Sequence, residues 1–301
     1  MLQRILVAVV GIPLLLFVLI IAPDWATAIL LCALCAVGAH ELLSAVSSRE
    51  IARRWWGLSG IMGVTVILHT YLGGIGEAGA AALMAWLLAA WLVLLFVSVV
   101  VEYGTPRALA FRDVCAIVAA GVAIPLAFSC LMRMRLMEHG GGIVLIVLVA
   151  AFCSDSAALF AGMAFGKHKL APRVSPKKTI EGAVGGLAGG MLGMIIFRIV
   201  FFLVTEVQLN IAWCVVLGLA GAAMGQLGDL SFSAVKRECG IKDYGRLLPG
   251  HGGVLDRFDS VIFAAPVVWL IIRSVTLYLE AYDDKNHFPV GMHRFHRPAD
   301  A

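Results

Sequence analysis

Between Gly228 and Asp259 the chain places Asp229, Asp243, Asp256 and Asp259 among Lys236, Arg237, Lys242, His251 and Arg257. Carboxylates hold hard divalent cations, while Lys and Arg neutralise the phosphate charge that remains, so the mixture suits a polyphosphate with bound metal. Gly252 and Gly253, directly after His251, leave a backbone free to approach a ligand closely. A merely solvated loop needs neither the glycines nor the alternation of charge.

A second polar stretch runs from Ser154 to Gly182. Asp155, flanked by Ser154 and Ser156, falls about twelve residues into an apolar run, roughly 18 Å along a helix axis. A carboxylate at that depth is costly unless it meets a polar cavity, a cation or a basic partner. After Gly166-Lys167-His168-Lys169-Leu170 comes Ser175-Pro176-Lys177-Lys178-Thr179-Ile180-Glu181-Gly182. Ser175 followed by Pro176 reads as an N-cap and first helical residue. A helix N-terminus beside Lys177, Lys178 and the Thr179 hydroxyl suits a phosphate, although basic loops at a membrane surface have the same composition. The N-terminal half offers Glu41, beside His40 near the cytoplasmic end of the second span, and an interfacial carboxylate reaching out to water accounts for it.

The elements that carry these residues are membrane helices. Of 301 residues, 61% are hydrophobic and 14% charged, against about 25% charged in a soluble domain. Apolar runs long enough to span a bilayer occur at 5–22, 25–46, 55–72, 79–101, 113–132, 143–166, 181–204, 211–231 and 258–280. An all-α, polytopic integral membrane protein with about nine transmembrane helices is expected, the first being a retained span and not a cleaved signal. Three regions follow: N-terminal helices in 1–140, a catalytic helical region in 141–282, and a polar tail in 283–301 expected to be disordered. That tail holds His287, His293 and His296. Six glycines from Gly182 to Gly193, and Gly218, Gly221, Gly225 and Gly228 in the next run, predict close helix packing.

Lys and Arg fall unevenly on the two sides of these spans. The N-terminus and the loops holding Arg53, Arg107, Lys177 and Lys242 collect sixteen, and the opposite side five. The basic side is cytoplasmic. The net charge of +4 comes with no basic arm interleaved with aromatics, so nucleic acid is excluded as a partner. Seven cysteines, mostly in apolar runs, argue against a disulfide framework, and Cys32 with Cys35 reads as packing. Gly74, Gly76 and Gly79 match G-x-G-x-x-G without a preceding strand, so a loop is expected and no nucleotide fold.

The run Ser233-x-x-Lys236-Arg237-x-x-x-x-Lys242-Asp243-x-Gly245-x-x-Leu248-Pro249-x-His251-Gly252-Gly253-Val254-x-Asp256-Arg257-Phe258-Asp259 resembles the signature of the CDP-diacylglycerol synthases, or phosphatidate cytidylyltransferases. The segment from Asp155 to Gly182 resembles a second region of that family, and the N-terminal half is similar only in being apolar and helical. Leu159 and Met163 stand where the family often has an aromatic and a basic residue.

The resemblance implies a Mg2+-dependent transfer of the cytidylyl group of CTP to phosphatidic acid, with pyrophosphate released. Asp229, Asp256, Lys236 and Arg237 are then the expected catalytic residues. Asp229 and Asp256 are the expected metal ligands, helped by Asp155 and Asp259. Lys167, Ser175, Lys178, Thr179, Ser233, Lys242, Asp243, His251, Gly252, Gly253 and Arg257 are the expected substrate contacts. The expected partners are CTP, phosphatidic acid and the lipid bilayer, with a homodimer allowed. The location implied is the inner membrane of a bacterium, with the site facing the cytoplasm. An ion-coupled transporter is the rival reading, but it predicts internal repeats, and each charged motif occurs once. A CDP-alcohol phosphotransferase needs a D-G-x-x-A-R motif that this chain lacks.

Overall fold

The computed structural model describes residues 2–74, 80–245, 247 and 252–286. Helices dominate: α1 (Leu2–Ile20), α2 (Asp24–Val46), α3 (Arg49–Gly74), α4 (Ala80–Val101), α5 (Phe111–Val118), a π-helical turn at Ala119–Ala123, α6 (Ile124–Arg135), α7 (Gly140–Ile143), α8 (Leu145–Phe165), α9 (Ile180–Thr205), α10 (Ile211–Glu238) and α11 (Leu255–Asn286). Long apolar runs adopt helices in a bilayer because only a helix satisfies each backbone group within its own segment.

Among the described residues, seven helical stretches are long and apolar enough to cross a membrane: Asp24–Val46, Ala81–Val101, Phe111–Arg135, Gly140–Phe165, Ile180–Thr205, Ile211–Glu238 and Leu255–Leu277. The two other expected spans are helical as well: α1 runs 19 residues from Leu2 to Ile20, and α3 mixes Ser59, Thr65, His69 and Thr70 with its apolar residues. The protein is thus an all-α polytopic membrane protein.

Two short strands, β1 (Lys169–Ala171) and β2 (Ser175–Thr179), pair antiparallel, Lys169 opposite Thr179 and Ala171 opposite Ser175. They correct the expectation that Ser175 caps a helix begun by Pro176. Pro176 sits in a strand of a two-stranded ribbon, where its missing N–H leaves no gap in a wider sheet. The cap is Thr179, whose Oγ1 accepts the Gly182 N–H at 3.1 Å. Glu181 in the first turn of α9 accepts N–H bonds from Lys167 at 3.1 Å and His168 at 3.2 Å, and its Oε1 lies 2.6 Å from His168 Nδ1. The hairpin is therefore tied to the start of α9.

The chain divides into two compact units, one formed by Met1–Arg133 with Val235–Phe258, the other by Met134–Ala234 with Asp259–Ala301. In the first, Leu31, Leu43, Trp55, Ile67, Leu95, Ile117 and Phe128 form the buried core. Gly121 of the π-helical turn is needed there, because a Cβ would lie 2.7 Å from Trp91 Cζ2.

In the second unit the expected glycine packing is present. A Cβ on Gly193 would lie 2.7 Å from Cys153 Sγ of α8, and one on Gly190 2.8 Å from the Gly218 carbonyl of α10. Small residues let helix backbones close to such distances, where dispersion replaces the hydrophobic drive that lipid does not supply. Apolar side chains such as Trp86, Val100, Leu203 and Val204 are exposed on the helix surfaces, as lipid contact requires. All seven cysteines are free, including Cys32 and the buried Cys35.

Candidate active site

Two groups of the expected residues assemble, one in each unit. In the second unit, Lys178 extends from β2 and its Nζ lies 2.5 Å from Asp229 Oδ2 on α10. The Ser233 hydroxyl, one helical turn further along, donates to Asp229 Oδ1 at 3.2 Å. Asp155 of α8 lies within electrostatic reach of both Asp229 and Lys178 and accepts from the Ser260 hydroxyl at 3.5 Å. Asp259, buried at the start of α11, accepts the Ser260 N–H on Oδ1 at 2.8 Å. Gln226 spans the neighbouring helices, donating to Ser154 Oγ at 3.2 Å and to the Ala183 carbonyl at 3.0 Å. Asp155 is exposed as a residue, with Asp229 and Lys178 within electrostatic reach of its carboxylate. That neighbourhood supplies what a carboxylate at mid-helix needs.

In the first unit, Asp256 stands in the first turn of α11, 3% exposed at its side chain. Its Oδ1 takes Lys236 Nζ at 2.8 Å, and its Oδ2 takes the N–H groups of Tyr244 at 2.8 Å and Gly253 at 2.9 Å. Lys236 Nζ also lies 5.5 Å from the centroid of the Tyr244 ring. Gly252 has φ +87, and a Cβ there would lie 2.9 Å from Asp256 Oδ2. The glycine expected to free the backbone is thus the one that lets the turn close over this carboxylate.

Lys167, Lys242, Asp243, Arg237 and Arg257 are exposed, and Ser175 is half-buried at the start of β2. His251 and the Leu248-Pro249-Gly250 run lie outside the described residues, as do the glycine-rich loop at 75–79 and the histidines of the tail.

Glu41 is a correction. Read as a carboxylate reaching out to water, it is instead 4% exposed. Its Oε1 and Oε2 accept the N–H groups of Val254 and Leu255, each at 2.9 Å. The signal was present in the sequence as a carboxylate inside an apolar helix, which is costly unless matched. The partner, more than two hundred positions away, carried no local sign.

The second-unit group offers oxygen ligands in the carboxylates of Asp155 and Asp229 and the hydroxyls of Ser233 and Ser260, beside the Lys178 ammonium. Among the described residues, no three His, Cys, Asp or Glu side chains form a metal cage. One or two carboxylates completed by substrate phosphates are a donor set suited to a hard divalent cation such as Mg2+.

Comparison with known proteins shows the family of the chain. The sequence model of the cytidylyltransferase family matches residues 2–275. The chain belongs to that family. A phosphatidate cytidylyltransferase of Bacillus subtilis is 33% identical over 271 residues, 90% of this chain and 97% of that protein. One from Haemophilus influenzae is 41% identical over 128 residues, 42% of this chain and 44% of that one. One from Mycobacterium tuberculosis is 37% identical over 161 residues, 53% and 47% of the two chains. Phosphatidate cytidylyltransferases make CDP-diacylglycerol from CTP and phosphatidate in phospholipid synthesis, and cytidylyltransferases that use CTP generally need a divalent cation. This chain is a multi-pass membrane enzyme of that kind, a nucleotidyltransferase with bacterial relatives.

Proposed function

We propose that the chain transfers the cytidylyl group of CTP to phosphatidic acid, giving CDP-diacylglycerol and pyrophosphate, at the cytoplasmic face of a bacterial inner membrane. The observation that carries this reading is the arrangement of Lys178 against Asp229 beside Asp155, one cation brought by a hairpin to two carboxylates of membrane helices. The cytoplasmic facing rests on the bias of Lys and Arg.

An oxygen of the lipid phosphate forms the new bond to the α-phosphorus of CTP. The bond from that phosphorus to its bridging oxygen breaks, and pyrophosphate leaves with the oxygen and its electron pair. The lipid phosphate is already anionic at neutral pH, so no covalent enzyme intermediate is required. Both reactants are strongly negative, and the enzyme's task is to orient them and to neutralise charge.

Lys178 is placed to take a phosphate oxygen, and the Thr179-capped start of α9 offers a positive helix end beside it. Asp229 and Asp155 would hold Mg2+, which when bound supplies charge neutralisation at the phosphates. Asp256, in the first unit, is also a proposed ligand, where a bound cation would share Oδ1 with Lys236. Arg237, Lys167, Ser175, Ser233, Lys242, Asp243, His251, Gly252, Gly253 and Arg257 are proposed substrate contacts, with Asp259 as a further carboxylate of the metal site.

The test is pyrophosphate release by protein purified in detergent. Release should require CTP, phosphatidic acid and Mg2+ together, with one pyrophosphate per lipid product. Release from CTP without the lipid would overturn the assignment of phosphatidic acid as acceptor.

A further inference from the structure

We propose that Glu41 is a positioning residue of the reaction, holding the first turn of α11 so that Asp256 and Lys236 keep the arrangement turnover needs. The inference rests on the proposed function, and Glu41 lies outside every motif from which that function was read.

The carboxylate is buried in α2, and its described partners are backbone amides, Val254 N–H and Leu255 N–H at 2.9 Å each. Those amides open a helix, where free N–H groups and the helix dipole both favour a negative charge. A side chain at the cap itself commonly supplies that acceptor. Here it comes from a residue 213 and 214 positions away along the chain.

Gly245 and Gly253 lie against the same carboxylate, and a Cβ on either would collide with Glu41 oxygens. One side chain therefore contacts the backbone on both sides of the 246–251 segment. The amide of Gly253 goes to Asp256 Oδ2, while those of the next two residues go to Glu41. Asp256 and Glu41 divide the donors of one turn between them. Releasing Glu41 frees two of three consecutive amides and leaves Asp256 as the side chain that still accepts from this turn, through Gly253 N–H.

The Glu41 and Asp256 carboxylates repel each other across this turn, with Lys236 paired to Asp256 and His40 beside Glu41. A turn needing only stability is better served by a neutral cap. The arrangement makes sense where Asp256 has to be held at a fixed angle with its charge intact. Misplacing a reacting group by about 1 Å can cost on the order of a hundredfold in rate.

The experiment compares Glu41→Gln, Glu41→Asp and Leu43→Ala in protein purified in detergent. Leu43, also on α2 and fully buried, serves as a packing control. Glu41→Gln should lower kcat about tenfold or more, with KM for CTP and for phosphatidic acid changed less than about twofold. Amide exchange in the 252–258 peptide should accelerate. Glu41→Asp keeps the charge one methylene short, should lose less, and reads the same direction should the Gln variant fail to accumulate. Leu43→Ala should lower the folded fraction while leaving kcat per folded molecule and the 252–258 exchange as they were. If both Glu41 variants keep normal kcat, or lose only what their folded fraction loses, Glu41 is structural and the inference is overturned. Unchanged exchange at 252–258 overturns it as well. Absence of turnover in the unaltered protein would overturn the proposed reaction and the inference together.

Discussion

Lys178 Nζ and Asp229 Oδ2 meet at 2.5 Å, with the two side chains 28% and 29% exposed, whereas Lys236 and Asp256 meet at 2.8 Å with side chains 12% and 3% exposed. The two pairs have the same chemistry and different surroundings. A partly exposed pair contributes about 0.2–1 kcal/mol to stability, while breaking a buried one by removing a partner costs roughly 3–5 kcal/mol. Water and ligand can reach the first pair, and the second holds a backbone turn in place.

Asp229→Asn and Lys178→Met should therefore each reduce turnover at least about a hundredfold while the melting temperature in detergent stays close to that of the parent protein. Thermal unfolding beside steady-state kinetics checks this. A loss of turnover that tracks a loss of folded protein would remove the pair from the chemistry.

Asp256→Asn should lose both turnover and stability, because Asn offers only one acceptor where the carboxylate now takes Lys236 and the amides of Tyr244 and Gly253. The expected cost is about 3 kcal/mol, readable as a drop of several degrees in melting temperature. An unchanged melting temperature would mean the turn is held without Asp256.

Gly252→Ala puts a side chain where φ is +87 and a Cβ 2.9 Å from Asp256 Oδ2. Gly240→Ala imposes a similar strain at φ +67 with nothing within 4 Å of the new Cβ. Each should lose about 1–2 kcal/mol of stability, and only Gly252→Ala should also lower kcat of the folded protein. Equal kcat in the two variants would show that the turn over Asp256 tolerates displacement.

Topology is open to cysteine labelling. On a thiol-free background, cysteines placed at Lys177 and Lys242 should react only when the cytoplasmic face is opened, as the bias of basic residues requires. Reaction from outside intact cells would contradict that orientation.

The late helices and their glycine contacts were legible because lipid forces helix on apolar runs and close packing leaves Gly and Ala at regular spacing. The carboxylates and lysines were legible as types, since buried or membrane-depth charge is too costly to be incidental. Pairings were less so. Ser175-Pro176 carries the same letters as a helix start, and only the antiparallel register with Lys169–Ala171 makes it a strand. Glu41 resembled an interfacial side chain because its partners are amides, which no sequence pattern marks. Seven of the nine expected spans coincide with helices long and apolar enough to cross a membrane among the described residues, and α1 and α3 are helices at the places of the other two.

The most direct test of the central claim follows where the phosphates of CTP go. Protein in detergent receives phosphatidic acid and CTP labelled separately on the α- and γ-phosphates. The α label is expected in the lipid extract as CDP-diacylglycerol, and the γ label in water-soluble pyrophosphate in equal amount. A γ label transferred to lipid, or an α label that stays in free nucleotide, would contradict cytidylyl transfer by this chain.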